Sequence, residues 1–296
     1  MGVENHININ SIMENNERII IMIKIFLTVR NRLAITRKAI TALKQHSKLG
    51  HQIYVYDNLT NYKVQEHFEY FYKLYRKGAI TQVTFNTQGS TFNAFSKAVA
   101  CNQFGHLHED DPQKDNCDFL LFLDNDIIVT DGWDQVVRDA WRDVKARKMN
   151  NVKAISQFPA GIRHGTDCDK PFAGKKAVTG KLGGSGFWAV RPDFFRDVGF
   201  LDLRQFVGHN KRHDQVYWTL MSKASGGKNY IMGLKHLLGV HCGGIAGSVC
   251  NVLTRNKKHG KKEDLIKFEK EDENIDAMDF TEFYKHVTEK VGNKNW

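Results

Sequence analysis

The chain has 296 residues, of which 41% are hydrophobic and 26% are charged, and this composition excludes disordered, collagen-like and coiled-coil proteins. Its formal net charge is +10, and the charge is uneven, because residues 1–262 carry +15 and residues 263–296 carry −5. The basic body indicates an anionic partner, and charge alone leaves nucleic acid, membrane headgroups and phosphorylated small molecules as candidates.

The first residues contain no pattern typical of export or of a membrane span. Residues 19–27 form an apolar run interrupted by Lys24, shorter than the roughly 20 residues that a membrane helix needs. Residues 1–18 lack the basic start and the cleavage site of a secretory signal, and we expect a flexible N-terminal extension there. Five cysteines without CxxC spacing favour reduced thiols and a cytoplasmic location, with no transmembrane segment.

Strands and helices alternate over the first 150 residues. Apolar runs and alternating patterns predict strands at 19–28, 52–56, 80–85 and 118–123. Helical spacing of apolar residues predicts helices at about 35–43, 62–77, 92–101 and 133–148. This alternation indicates βαβ units and a mainly parallel central sheet.

The second half of the chain has shorter elements. A strand at 152–156 precedes a polar, basic stretch at 158–181, which we expect to be a mobile loop near a site. Glycines lead into an apolar strand at 187–190, whose Phe187 and Trp188 we expect in the core. The remaining predicted elements are a helix from Asp214 to about residue 223, a strand at 237–240 ending at His241, a basic run at 255–262 and acidic terminal helices.

Polar residues follow four of the predicted strands. They are the turn at 28–32, Asp57 with Asn58, the turn at 86–90, and the Asp124-Asn125-Asp126 segment. Because ligands bind beyond the carboxyl ends of parallel strands, we expect these clusters to share one crevice. Two carboxylates there could bind a hard divalent cation that bridges a diphosphate. The alternative, a turn cap and a solvated carboxylate, is less favoured because a buried strand leads directly to both.

These segments resemble, in the same order, family 2-type glycosyltransferases. The first half is similar in TVRNR at 28–32, in the strand ending at Asp57-Asn58, in NTQGSTFNAFSKAV and in DFLLFLDNDIIVTDGWD. The second half is similar in GGSGFWAVRPDFFRDVGFLD and HDQVYWTLMSKASGG. The resemblance covers about residues 20–245 and implies the GT-A fold, a Rossmann-like three-layer α/β/α architecture.

The resemblance also implies a division of the chain. The GT-A domain would occupy residues 19–250, with a nucleotide-sugar-binding half at 19–130 and an acceptor-binding, catalytic half at 131–250. Residues 251–296 would form a basic loop and an acidic helical tail.

Roles for individual residues follow from the same resemblance. Asp214 would be the general base, and its alternative role as a helix cap does not exclude catalysis. Asp124, Asp126 and His241 would bind Mn²⁺ or Mg²⁺, and for His241 this role is only slightly favoured over that of an ordinary strand histidine. The residues implied to contact the donor, preferably a UDP-sugar, are Thr28, Arg30, Arg32, Asp57, Gly89, Asn93, Asp124, Gly184 and Ser185.

The sequence therefore predicts a metal-dependent, inverting glycosyltransferase, preferably a hexosyltransferase, that acts on an acceptor hydroxyl. The sequence leaves two acceptors open, a glycan and DNA. A hydroxymethylated pyrimidine in DNA suits the +15 charge of residues 1–262. An enzyme that acts on a glycan at a membrane surface would be expected to have a basic C-terminal segment, whereas residues 263–296 carry −5. Another class, a nucleotidyltransferase, would normally carry a glycine-rich loop where residues 28–33 have no glycine. A non-catalytic nucleic-acid-binding protein is supported by charge alone.

Overall fold

The computed structural model describes residues 22–58, 60, 62–86, 94–157, 162, 165–181, 186–206, 213–242 and 262–292. This part of the chain contains eleven strands and eight α-helices. In chain order they are β1 (Met22–Val29), α1 (Leu33–His46), β2 (Gly50–Asn58), α2 (Val64–Arg76), β3 (Gln82–Asn86), α3 (Ala94–Glu109), β4 (Cys117–Asp124), β5 (Ile127–Val129), α4 (Trp133–Ala146), β6 (Ala154–Gln157), β7 (Thr166–Asp167), β8 (Ala177–Gly180), β9 (Phe187–Val190), α5 (Phe194–Asp197), α6 (His213–Ala224), β10 (Ile231–Leu234), β11 (Gly239–His241), α7 (Lys262–Ala277) and α8 (Phe280–Gly292).

Nine of these strands form one sheet, in the order β3-β2-β1-β4-β9-β6-β10-β8-β7. Strands β1 to β4 pair in parallel, and β9 and β8 are antiparallel to both of their neighbours. Seven of the nine strands therefore run in one direction. The predicted α/β class with a mainly parallel sheet is confirmed.

The sheet separates two layers of helices because its strands alternate in the face they present. In β1, Ile23, Ile25 and Leu27 belong to a core that includes residues of α1 and α4, whereas Phe26 belongs to a core that includes α3, α5 and α6. Each face of the strand is covered by apolar side chains, as expected for a sheet with helices on both sides. The predicted three-layer architecture is confirmed.

The register of the central strands aligns their carboxyl ends. Thr28 of β1 pairs with Asp124 of β4, and the next residue, Val29, pairs with Asp57 of β2. Three side chains expected to share a crevice thus lie at one level of the sheet. This edge positions the candidate site.

The basic stretch at 158–181 differs from the expected mobile loop. Residues 166–167 and 177–180 form β7 and β8, and β8 pairs antiparallel with β10 along its whole length. Ala177 and Val178 are buried, so this part of the loop prediction is wrong. The prediction of Phe187 and Trp188 as core residues is confirmed, since both are 2% exposed.

The acidic end of the chain packs against α1 and the segment before α2. Arg37 binds Asp276 at 2.8 Å and Lys63 binds Asp272 at 3.1 Å, while the buried Phe283 of α8 joins the core on the α1 side. In the described ranges, none of the helices is both long and apolar enough to cross a membrane. The predicted extension at 1–18 and the basic run, apart from Lys262, lie outside the described residues.

Candidate functional site

The turn after β1 has an uncommon backbone that neighbouring polar groups hold in place. Asn31 and Arg32 are both left-handed, with φ of 50° and 56°, a conformation that costs a non-glycine residue about 1–3 kcal/mol. The Asn31 carboxamide accepts a hydrogen bond from the amide of Tyr62, and the Asn31 amide donates to the hydroxyl of Thr60. The Asn125 side chain donates to Thr36 in α1 at 2.7 Å. These contacts fix the direction in which Arg32 leaves the backbone.

Arg32 and His241 both contact the carboxylate of Asp126. The Arg32 guanidinium lies 2.5 Å from Asp126 Oδ2, and His241 Nε2 lies 3.3 Å from the same oxygen. Burial alone would raise the pKa of Asp126, but the hydrogen bond from His241 and the charge of Arg32 outweigh it and lower the pKa to about 2. The hydrogen bond to Asp126 in turn raises the pKa of His241. Asp126 is therefore an ionised, buried carboxylate.

A short antiparallel ribbon places His241 beside Asp126. β5 begins directly after Asp126, and it pairs with β11 so that His241 faces Ile127. The amide of Cys242 also donates to the backbone carbonyl of Asp126 at 2.7 Å. The strand ending at His241 was expected from the sequence, but its partner β5 was not.

Asp124 lies at the end of β4 and is held by different partners. Its Oδ1 accepts hydrogen bonds from Thr28 Oγ1 at 3.0 Å and from Lys97 Nζ of α3 at 2.5 Å. Gly186 approaches from β9, where a Cβ atom would stand 3.4 Å from Asp124 Oδ2. The carboxylate is thus paired with a protein cation on one side and lies against bare backbone on the other.

The predicted metal ligands are only partly brought together. No cluster of three or more histidine, cysteine or acidic side chains with the arrangement of a metal site occurs among the described residues. Asp126 and His241 are in contact, whereas Asp124 is bound to Thr28 and Lys97. Asp126 Oδ1 is buried and has no hydrogen-bond partner, so this pair offers a free carboxylate oxygen and an imidazole to a divalent cation.

Asp57, implied to contact the donor base, lies against a histidine that the sequence did not single out. Its Oδ2 is 3.2 Å from Nδ1 of His67 in α2, and its Oδ1 accepts a hydrogen bond from the amide of Thr60. Asp57 and His67 are 3% and 1% exposed. The facing atoms lie within ion-pair distance, but neither Asp57 Oδ2 nor a ring nitrogen of His67 makes a hydrogen bond in the described part of the chain.

Asp214 is the second residue of α6. Its carboxylate accepts a hydrogen bond from the amide of Gln215 at 2.9 Å, which is the acidic first-turn arrangement that stabilises a helix start. One turn later, Tyr217 lines a small cavity together with Thr28, Lys97 and Asp124. The first turns of α6 therefore lie close to the end of β4.

The other predicted donor-binding residues have different outcomes. Thr28, Asp57 and Asp124 lie at the carboxyl ends of β1, β2 and β4, and Arg30 and Arg32 lie in the turn after β1. Gly89, Asn93, Gly184 and Ser185 lie outside the described residues. Sequence reasoning missed Lys97 and His67, because each reaches the crevice from a helix whose rotation over the sheet no local pattern reveals.

No protein-family model matches the chain, and a search of curated proteins found no match. Solved structures similar to it include GalNAc-T7 with UDP, GalNAc and Mn²⁺ (11% identity, TM-score 0.48, covering 95% of this chain and 56% of that one). A second is the mannosyltransferase PcManGT from Pyrobaculum calidifontis with GDP-Man and Mn²⁺ (11% identity, TM-score 0.45, covering 71% of this chain and 56% of that one). A third is S. aureus TarS 1–349 with UDP-GlcNAc (13% identity, TM-score 0.43, covering 87% of this chain and 70% of that one). This chain spans 36% and 60% of two further TarS chains. PcManGT is named as a mannosyltransferase, and the GalNAc-T7 and TarS structures contain UDP or a UDP-sugar.

Proposed function

We propose that the crevice binds a nucleotide-sugar donor, preferably a UDP-sugar, and transfers its sugar, preferably a hexose, to an acceptor hydroxyl. The observation that carries the proposal is the buried Asp126, which faces Arg32 and His241 and keeps one oxygen without a partner. A carboxylate, an imidazole and a guanidinium at one strand end suit a divalent cation and a diphosphate. Such a cation would neutralise the charge that develops on the leaving diphosphate.

The chain's own groups account for the remaining roles. The Asp214 carboxylate removes the proton of the acceptor hydroxyl, whose oxygen attacks the anomeric carbon while the bond to the diphosphate breaks. A single displacement of this kind inverts the anomeric centre. Arg32 and Lys97 contribute positive charge beside the carboxylates, and Asp57, held by His67, offers a hydrogen-bond acceptor to the base.

For the acceptor, we propose two candidates, a glycan hydroxyl and, as the alternative, a hydroxymethylated pyrimidine in DNA. The alternative is supported by charge, because the +15 of residues 1–262 is far larger than one nucleotide-sugar donor requires. The test below separates the two.

The test incubates the protein and Mn²⁺ with a panel of UDP- and GDP-sugars and measures nucleoside diphosphate release, with and without hydroxymethylated DNA. We expect one donor to give release and Asp126→Asn to reduce it by about 100-fold or more. Asp169→Asn is the matched control, because Asp169 belongs to an exposed Asp-x-Asp segment and should leave the rate unchanged. Titration of Mn²⁺ in the presence of UDP should show weaker binding for Asp126→Asn only.

Three results would separate the parts of the proposal. No release from any donor, with Mn²⁺ binding unaltered in Asp126→Asn, would reject the transferase function. Release that hydroxymethylated DNA does not stimulate would reject DNA as the acceptor and leave a glycan. Full activity of Asp214→Asn alongside an inactive Asp126→Asn would show that the base is misassigned while the donor site is right.

A further inference from the structure

One side of α2 presents a row of apolar side chains to solvent. In the described part of the chain, the large hydrophobic residues that are exposed all belong to this helix: Val64, Phe68, Tyr72 and Tyr75, at 49–55%. They follow one another at spacings of four, four and three residues, so they form one stripe about 16 Å long, the α2 stripe. The rings of Phe68 and Tyr72 stack, with centroids 6.1 Å apart. A contiguous exposed apolar patch is typical of an interaction surface.

The α2 stripe lies toward the open edge of the sheet. α1 is on the other side of α2, where the Arg37 guanidinium is 5.4 Å from the centre of the Tyr70 ring. The helical spacing places Tyr70 on the side of α2 opposite the stripe. On the stripe side, Phe68 contacts Phe85 of β3, with ring centroids 5.2 Å apart. β3 is the last strand of the sheet in this direction, so the stripe is next to the sheet edge.

β3 lacks the features that usually protect an edge strand. β2 pairs with one side of it, and no strand in the described ranges pairs with the other. Its five residues, Gln82–Asn86, include no charged residue and no proline. Natural edge strands commonly carry charges, prolines or bulges that prevent pairing with another chain. The edge of β3 and the α2 stripe thus offer two adjacent surfaces suited to a protein partner.

Charged residues beside the α2 stripe indicate which partner it is. Glu69 and Arg76 are seven residues apart, so they flank the stripe on the same side. Glu69 accepts a hydrogen bond from Gln65, and neither Glu69 nor Arg76 has an oppositely charged group within 4 Å among the described residues. Two antiparallel copies of α2, related by a two-fold axis near Tyr72, would bring each Glu69 beside Arg76 of the partner subunit. Parallel copies would bring like charges together.

We propose that a second copy of this chain covers the α2 stripe, in a symmetric dimer whose two α2 helices pack antiparallel. Tyr72 meets Tyr72 of the partner subunit at the axis, and Phe68 meets Tyr75 of the partner subunit. Because each stripe is used once, association stops at two copies. An anionic membrane surface fits this face less well, since it would repel Glu69.

Sedimentation velocity of the full chain at about 1–100 μM tests the proposal without any substrate. We expect a reversible equilibrium between monomer and dimer. Tyr72→Glu should weaken the dimer by about tenfold or more, because it places two like charges at the axis. Gln135→Glu is the matched control, since it adds the same charge at an exposed position of α4, and it should leave the equilibrium unchanged. Thermal unfolding should show that both variants are folded.

Exchange of the flanking charges tests the antiparallel arrangement. Glu69→Arg alone should weaken the dimer by about fivefold, because each of the two symmetric contacts then sets arginine against arginine. Glu69→Arg/Arg76→Glu should restore the wild-type affinity to within about twofold. A monomer at every concentration, a dimer unaltered by Tyr72→Glu, or a double variant no tighter than Glu69→Arg would overturn the proposal. A monomer that binds phosphatidylglycerol vesicles, and loses this binding in Tyr72→Glu, would assign the face to a membrane instead.

Discussion

The two carboxylates at the end of β4, Asp124 and Asp126, each face a cation supplied by the chain itself. Asp126 is paired with Arg32, and Asp124 with Lys97, at 2.5 Å in both cases. The two pairs use different elements, because Arg32 comes from the turn after β1 and Lys97 from α3. The positions of both carboxylates are therefore determined by the packing of α1 and α3 as well as by the strand that carries them.

Lys97 is the residue whose substitution best tests this pairing. We expect Lys97→Met to leave Asp124 with Thr28 as its hydrogen-bond donor, and to cost about 1–2 kcal/mol of stability because Asp124 is 29% exposed and partly solvated. If the crevice is the donor site, sugar transfer should fall by about tenfold. Thermal unfolding and nucleoside diphosphate release measure the two effects. Lys73→Met, at an exposed position of α2, should change neither, and an equal loss there would contradict the role given to Lys97.

The buried pair of Asp57 and His67 should be strongly coupled. We expect His67→Phe to lower the free energy of unfolding by about 3–5 kcal/mol, because it leaves the Asp57 carboxylate buried without its partner. Asp57→Asn/His67→Phe should recover part of that loss, since it removes the charge. Denaturant unfolding of both single variants and the double variant gives the coupling energy. Additive effects would show that the two side chains are independent.

Residues of the crevice differ in how far sequence alone could identify them. Asp124 and Asp126 were predictable because they directly follow the apolar run of β4, and strand ends of a parallel sheet meet at one edge. Lys97 is a lysine within a helix and His67 a histidine within another, and neither position is distinguished by spacing or composition. Their roles depend on which face α3 and α2 turn to the sheet, which is a property of tertiary packing.

The ribbon of β5 and β11 depends on Gly239, because the two strands approach too closely there for a side chain. A Cβ atom at this residue would stand 2.9 Å from Ile127 Cγ2 and 3.2 Å from the carbonyl of Ile128. We expect Gly239→Ala to force the two strands apart, to cost about 1–3 kcal/mol and to move His241 away from Asp126. Both the melting temperature and the Mn²⁺ affinity measured in the presence of UDP should be lower in Gly239→Ala than in the wild type. Unchanged affinity would show that the position of His241 does not depend on this close approach.

The elements that the sequence missed are short. β5 has three residues and β8 has four, too few for a periodicity of two to be distinguished from chance. β8 also lies within a basic, polar stretch. Its two apolar residues, Ala177 and Val178, indicate a strand only once their pairing with β10 is known. The longer elements, such as β1, β4 and α4, were predictable because their patterns extend over eight residues or more.

Lys24 of β1 and His108 of α3 form a buried contact that should make stability depend on pH. The Lys24 ammonium binds Asp111 at 2.6 Å and His108 Nδ1 at 3.3 Å, while His108 Nε2 lies 2.8 Å from the carbonyl of Pro192. Neutral His108 satisfies both neighbours by accepting from Lys24 and donating to Pro192. Burial lowers the pKa of His108, and the hydrogen bond from Lys24 lowers that of Asp111.

Both shifts make the folded state lose stability in acid. A histidine whose pKa is lower in the folded state takes up its proton on unfolding, so the free energy of unfolding should begin to fall below about pH 6.5. The contribution of Asp111 is lost at still lower pH, as its carboxylate is protonated. Denaturant unfolding from pH 7.5 to 5 should show this fall in the wild type and in His51→Gln, whereas His108→Gln should show a smaller fall. Parallel curves for wild type and His108→Gln would contradict this assignment.

At the scale of the whole molecule, the acidic end of the chain neutralises part of a basic body. Asp272 and Asp276 of α7 bind Lys63 and Arg37, and α8 contributes Phe283 to the core on the α1 side. The +10 of the full sequence is thus an average over two regions of opposite charge that are in contact. Apolar burial as well as ion pairing holds them together.

Phe283 should determine how firmly the C-terminal helices are attached. We expect Phe283→Ala to destabilise their packing by about 3 kcal/mol and so to speed tryptic cleavage between residues 262 and 292 by more than tenfold. Phe68→Ala is the control, because Phe68 is 49% exposed on α2. Equal cleavage rates for the two variants would indicate that the ion pairs alone hold these helices.

The pairing of β5 with β11 determines when, during synthesis and folding, His241 can reach Asp126. His241 and Ile127 are more than a hundred positions apart, so the loop that their pairing closes is among the long ones of the fold. During synthesis, Arg32 and Asp126 are both present long before the ribosome has made β11. The imidazole therefore joins the carboxylate only after all nine strands of the sheet have been made, and cation affinity at the proposed site would report assembly of the sheet with this ribbon.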